Sequence, residues 1–126
     1  IVADRYTTSN GVHQCSKLPK EQWSDFMDWL YDFEYRKMGI PAPDVVIYLN
    51  MSPEVSQKLL SARYAGDESK KDIHEKDTEY LKKSQSAARF CSEHDKWNVI
   101  NCDDGEKPFT IEEIHEKIIK KVTEII

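Results

Sequence analysis

Two short runs constrain the fold of this 126-residue chain more than any other feature: Val45-Val46-Ile47-Tyr48-Leu49 and Trp97-Asn98-Val99-Ile100-Asn101. The first is apolar at consecutive rather than alternate positions. A strand of that kind cannot show one face to water, so it belongs in a sheet covered on both sides, which is the habit of parallel sheets. Parallel neighbours need a long, usually helical, crossover between them. Ile1-Val2-Ala3 reads as the tail of a third such strand.

Helical patterns fill the intervals. Leu18 to Arg36 carries Trp23, Phe26, Met27, Leu30 and Tyr31 at 3–4 spacing and ends near Gly39-Ile40-Pro41. Ser52-Pro53-Glu54 has the grammar of a helix start, with Ser as N-cap, Pro at the first helical position and an acid in the first turn. Val55, Leu59 and Leu60 supply its apolar face. Asp72 to about His94 is a long, mostly polar helix with Ile73, Tyr80, Leu81, Ala88 and Cys91 turned inward. Thr110 and Glu113 make a capping box, opening a helix expected to bury Ile111, Ile114, Ile118, Ile119, Val122 and Ile125. Trp23, Trp29 and Trp97 read as core, and His115 as surface. Strands alternating with helices predict an α/β fold, a parallel sheet flanked by helices, in one domain.

Composition then narrows the function classes. A chain 39% hydrophobic and 33% charged folds rather than staying disordered. Its 18 Lys+Arg against 23 Asp+Glu give a net charge of −5, which lacks the basic footprint of a nucleic-acid binder. Cys15, Cys91 and Cys102 are odd in number and have no C-x-x-C spacing, so neither a disulfide framework nor a zinc site is indicated. Reduced thiols in a cytoplasmic protein are the expectation. The apolar runs are too short to span a membrane, and Asp4-Arg5 interrupts the only stretch resembling a signal peptide.

In open parallel sheets, ligands bind beyond the carboxyl ends of the strands. Asp4 and Arg5 stand at such an end, followed by Ser9, Asn10, His13 and Gln14. A guanidinium is a permanently charged fork suited to phosphate oxygens, and the polar residues behind it offer hydrogen bonds to a sugar or base. The same residues read equally well as a capping ion pair and a solvated turn. Arg63 to Asp72 is a charged loop whose Arg63, Lys70 and Lys71 would close over a polyphosphate, or would be plain surface.

Taken together, "DRYTTSN…HQ", "PDVVIYLNMSPEV" and "R…DIHEKD" resemble, in order over essentially the whole chain, the thymidylate kinases. These P-loop enzymes move the γ-phosphoryl of ATP onto dTMP. The resemblance implies a P-loop-type three-layer fold, Mg²⁺ with ATP as co-substrate, a cytoplasmic homodimer, and a place in dTTP biosynthesis. It implies that Arg5 holds the dTMP phosphate, that Asp4 supports the phosphate network and Mg²⁺ through water, and that Asn10 and Ser9 face thymine. His13 falls where the family carries an aromatic residue beside the deoxyribose, and Gln14 matches a neighbouring polar position. Asp72, His74 and Glu75 match the segment that closes the lid (about 62–77), to which Arg63, Lys70 and Lys71 would contribute cations, Arg63 with a catalytic role. Cys102 and Asp103 fall on the adenine-side loop. The aromatic helix Leu18 to Tyr35 is the expected dimer surface.

Phosphoryl transfer in this family also needs GxxxxGK[ST], whose backbone amides and Lys cradle the ATP phosphates. No such stretch occurs in these 126 residues, whose four glycines, Gly11, Gly39, Gly66 and Gly105, lie far apart. The expectation is therefore the C-terminal portion of a single thymidylate kinase domain (1–126), inactive alone. The alternatives are another P-loop deoxynucleotide or deoxynucleoside kinase, or a non-catalytic nucleotide-binding module.

Overall fold

The computed structural model describes residues 1–64 and 78–126. Over these the order is α1 (Thr8–Cys15), a single 3₁₀ turn (Lys20–Gln22), α2 (Trp23–Tyr31) running into a π-helical segment (Asp32–Lys37), β1 (Ile47–Asn50), α3 (Pro53–Arg63), α4 (Thr78–His94), β2 (Asn98–Asn101) and α5 (Ile111–Ile125). Helices lie before β1, between β1 and β2, and after β2. β1 and β2 pair in parallel, Ile47 opposite Asn98 through Asn50 opposite Asn101.

The π-helical segment closes with Met38 N–H on the Phe33 carbonyl at 2.9 Å and Ile40 N–H on the Glu34 carbonyl at 3.0 Å. Gly39, at φ +72°, makes the reversal that follows; a side chain there would be strained.

The core lies between helices more than on the sheet. α4 packs on α1, α2 and α3, while α1 also packs on α2. Their meeting point is a cluster of Cys15, Trp23, Met27, Ala87 and Cys91, with Val12, Leu18, Phe26, Tyr31, Phe90 and Trp97 against it. All three cysteines are buried free thiols. The Cys91 thiol contacts the Met27 sulfur at 3.7 Å, so the centre is soft and polarizable. Gly11 lets α1 come this close, since a Cβ there would sit 2.6 Å from Met27 Sδ.

Several expectations are corrected. Ile1 and Val2 are irregular and fully exposed, because no strand among the described residues pairs with them. Trp29 is 55% exposed and stacks on Phe33, its ring having turned away from the core that Trp23 occupies. α5 has the expected cap, Thr110 Oγ1 accepting from Glu113 N–H at 3.1 Å. None of its side chains is buried, however, and Ile111 is 82% and Ile119 50% exposed. α5 touches β2 alone among its larger contacts, so only part of its apolar stripe is covered. Among the described residues, no helix is long and apolar enough to cross a membrane.

Candidate functional site

The acceptor-side candidates sit in the chain's first fifteen residues, which polar side chains pin to two other places. Tyr6 Oη donates to the Pro41 carbonyl at 2.8 Å, and the Thr7 and Tyr35 hydroxyls hydrogen-bond each other at 2.7 Å. Between these anchors and the exposed Asp4 stands Arg5, exposed and at φ +67°. A non-glycine residue held in the left-handed region costs on the order of 1–3 kcal/mol and survives where its surroundings over-determine it, commonly at ligand sites. Asp4 and Arg5 form no ion pair with one another, and Thr7, at the N-cap of α1, makes no side-chain capping bond.

α1 then carries Ser9, Asn10, His13 and Gln14 on successive turns. Ser9 and His13 are four apart, as are Asn10 and Gln14, so each pair shares a helix face. Asn10 is exposed but anchored, its Nδ2 donating to Glu34 Oε1 at 3.3 Å. His13 Nδ1 lies 3.2 Å from Tyr80 Oη, joining α1 to the first turn of α4. Ser16 Oγ donates to the His13 carbonyl at 2.6 Å and closes the helix. The helix is thus held on both sides, by Glu34 and Tyr35 on one and Tyr80 on the other.

Glu34 is absent from the sequence-derived set. It is 5% exposed, and its Oε2 is buried with no hydrogen-bond partner among the described residues. The signal was available. Glu34 lies four positions after Leu30 and seven after Met27, both buried, so a carboxylate stands on the apolar stripe of α2.

The second group of candidates lies at the carboxyl ends of the strands. There, Asn50 Nδ2 donates to Asn101 Oδ1 at 3.1 Å, and Gln85 Nε2 reaches Asn50 Oδ1 at 3.3 Å and the Met51 carbonyl at 3.2 Å. Asp103 Oδ2 accepts the Ser52 N–H at 2.6 Å. Ser52 occupies the N-cap of α3, yet makes no side-chain cap itself and its Oγ is buried without a partner. The carboxylate of Asp103 therefore satisfies the helix start from across the sheet. Cys102 is 3% exposed, its thiol on the Ile100 carbonyl at 3.5 Å, and burial pushes its pKa up. Backbone amides of Glu106 and Lys107 hold the Asp104 carboxylate, lowering its pKa, in a turn that Gly105 completes at φ +97°. Tyr48, Asn50, Arg89, Glu93, Val99 and Asn101 line an open cleft of about 200 Å³ between the sheet and α4.

Arg63 is exposed at the last position of α3, its guanidinium 5.8 Å from the Tyr64 ring centre. Lys70, Lys71, Asp72, His74 and Glu75, with most of the expected lid, lie outside the described residues. Among the described residues, no group of three or more His, Cys, Asp or Glu could hold a metal ion. Asp4 is exposed.

No family model matches the chain, and no solved structure matches it. Among curated proteins, it is 33% identical over 101 residues to the thymidylate kinase of Dictyostelium discoideum, covering 80% of this chain and 38% of that protein. It is 31% identical over 125 residues to the thymidylate kinase of Plasmodium falciparum, covering 99% of this chain and 50% of that protein. With the thymidylate kinase of Mycobacterium tuberculosis it shares 23% identity over 107 residues, or 82% of this chain and 50% of that protein. The chain spans half or less of the length of these relatives, and its similarity to them points to the nucleotide kinases.

Proposed function

We propose that this chain forms the acceptor-nucleotide side of a thymidylate kinase, which transfers the γ-phosphoryl of ATP to dTMP. The observation that carries the reading is the strained, exposed Arg5 at the head of an anchored helix presenting Ser9, Asn10, His13 and Gln14. Arg5 binds the acceptor phosphate, its fork matching the oxygens. Asp4 orients the phosphate network through water, and would face Mg²⁺ brought in on ATP. Asn10 and Ser9 hydrogen-bond the base. His13, tied to Tyr80, packs beside the sugar and couples it to the start of α4. Arg63, Lys70 and Lys71 draw a lid over the phosphates, Arg63 taking a catalytic role, and Asp72, His74 and Glu75 close it on the acceptor. Cys102 and Asp103 shape the adenine side, Asp103 by fixing the start of α3. The exposed stack of Trp29 on α2 and Phe33 on the π-helical segment after it supports a homodimer contact.

The ATP phosphates need a glycine-rich cradle that these 126 residues do not contain. The isolated chain is therefore expected to release no ADP in a dTMP-dependent way. It should still bind dTMP in a calorimetric titration, and Arg5→Ala should weaken that binding about 10- to 100-fold, the equivalent of one lost charge-assisted contact. Binding of inorganic phosphate as tight as that of dTMP would refute the assignment. In the protein that supplies the cradle, phosphoryl transfer to dTMP should exceed transfer to thymidine; the reverse order would indicate a deoxynucleoside kinase.

A further inference from the structure

We infer that Glu34 sets base preference by fixing which way the Asn10 carboxamide faces, an inference that rests on the thymidylate reading of the site. A buried carboxylate with one unpaired oxygen is a poor structural choice, because an apolar side chain of similar shape would avoid the desolvation cost. Glu34 is such a group, 5% exposed with Oε2 unpartnered among the described residues. It also sits in a π-helical segment, a widened turn that is rare and frequent at functional sites.

What a carboxylate does that its neutral isostere does not is accept hydrogen bonds without donating any. Facing Glu34 Oε1 at 3.3 Å, the Asn10 amide must turn its NH₂ inward. Its carbonyl Oδ1 and second N–H are then left toward solvent, where Asn10 is exposed. This edge reads acceptor, then donor. It complements the N3–H and carbonyl oxygen of thymine or uracil. It opposes cytosine in the same position, since cytosine N3 is an acceptor and its exocyclic amine a donor. A glutamine at position 34 would both donate and accept, so Asn10 could present either edge. Glu34 touches no substrate and acts through Asn10, as a positioning residue.

The test compares binding of dTMP and dCMP by the unsubstituted chain, Glu34→Gln and Glu34→Asp, alongside thermal melts. The inference expects the unsubstituted chain to prefer dTMP. Glu34→Gln should lose at least tenfold of that preference with its melting temperature little changed, and Glu34→Asp, still acceptor-only, should retain it. An unchanged preference in a folded Glu34→Gln overturns the role of Glu34 and leaves the thymidylate reading standing. No preference for dTMP in the unsubstituted chain overturns both. Should Glu34→Gln fail to fold, the Asn10 side-chain amide in the NMR spectrum of the unsubstituted chain decides. One slowly exchanging, downfield-shifted proton that moves on adding dTMP supports the inference, and an equivalent, unresponsive pair refutes it.

Discussion

Replacing Gly11 with alanine sets two opposing effects against each other on α1. The helix itself gains, because alanine is favoured over glycine in a helix interior by about 1 kcal/mol. The packing loses, because the new methyl would lie 2.6 Å from Met27 Sδ and 2.7 Å from its Cε, against the 3.5–4.0 Å or so of comfortable contact. Met27 is fully buried among Cys15, Trp23, Ala87 and Cys91, so its tip has little room to retreat. Overpacking of this kind costs about 1–3 kcal/mol, and Gly11→Ala is expected to destabilise by about 1 kcal/mol net. In a Met27→Ala background, itself about 2–5 kcal/mol less stable, the obstruction is gone. The same substitution should there stabilise by up to about 1 kcal/mol, giving a coupling of about 2 kcal/mol. Urea unfolding of the four proteins, with unchanged m-values, measures this cycle. The same sign and size in both backgrounds would refute the view that close approach to Met27 is why position 11 is glycine.

Other outcomes follow from the same geometry. Asp103→Ala removes the acceptor of the Ser52 N–H and should cost about 1.5–3 kcal/mol in urea unfolding, while an unchanged midpoint would show that water replaces the carboxylate. Thr110→Ala should lower stability by about 0.5–2 kcal/mol, and Thr110→Ser should restore it, with loss of both in circular dichroism arguing against the cap. Arg5→Gly should leave stability unchanged or raise it by about 1 kcal/mol while weakening dTMP binding as Arg5→Ala does; a marked loss of stability would mean that Arg5 is not strained. Burial raises the pKa of Cys15 and Cys91, and burial together with the Asp95 carboxylate raises that of Tyr31. Groups raised in the folded state contribute fully below their ordinary values and lose that contribution as pH climbs through the folded ones. The melting temperature should therefore hold to about pH 9, the ordinary thiol value, and fall above it; a flat profile to about pH 11 would contradict the burial.

The strands were legible as strands because apolar runs this short have few other places to go, but their expected cover on both faces was not met, Leu49 being 50% and Val99 43% exposed. The starts of α3 and α5 were legible because capping chemistry is local. α1 was not legible on periodicity. Thr8, Ser9, Asn10 and Gly11 are weak helix formers, and they are helical because Gly11, Val12 and Cys15 pack against α2 and α4. The isoleucine stripe of α5 shows the limit of pattern in the other direction. Spacing says which side chains share a face, whereas coverage depends on what lies opposite, and for Ile111 and Ile119 little does. For the site, the grouping of Ser9, Asn10, His13 and Gln14 was readable from order alone. Of their anchors, Glu34 left a trace as an acid on the apolar stripe after Met27 and Leu30, while Tyr35 and Tyr80 left none; each anchor lies more than twenty residues from the group it holds, so order alone could not pair them.

The placement of the three tryptophans gives the protein a built-in optical division of labour. Trp23 is sealed in the helical core with its indole N–H on the Leu18 carbonyl at 3.1 Å, while Trp29 lies 55% exposed against Phe33. Trp97, half-buried, leads into β2 beside Tyr48. An aqueous quencher such as iodide should silence the Trp29 emission first, leaving a blue-shifted residue from Trp23 that reports the α1–α2–α4 core. Nucleotide-induced changes could then be watched at the core and at the exposed face of α2 separately, in one cuvette and without an added label.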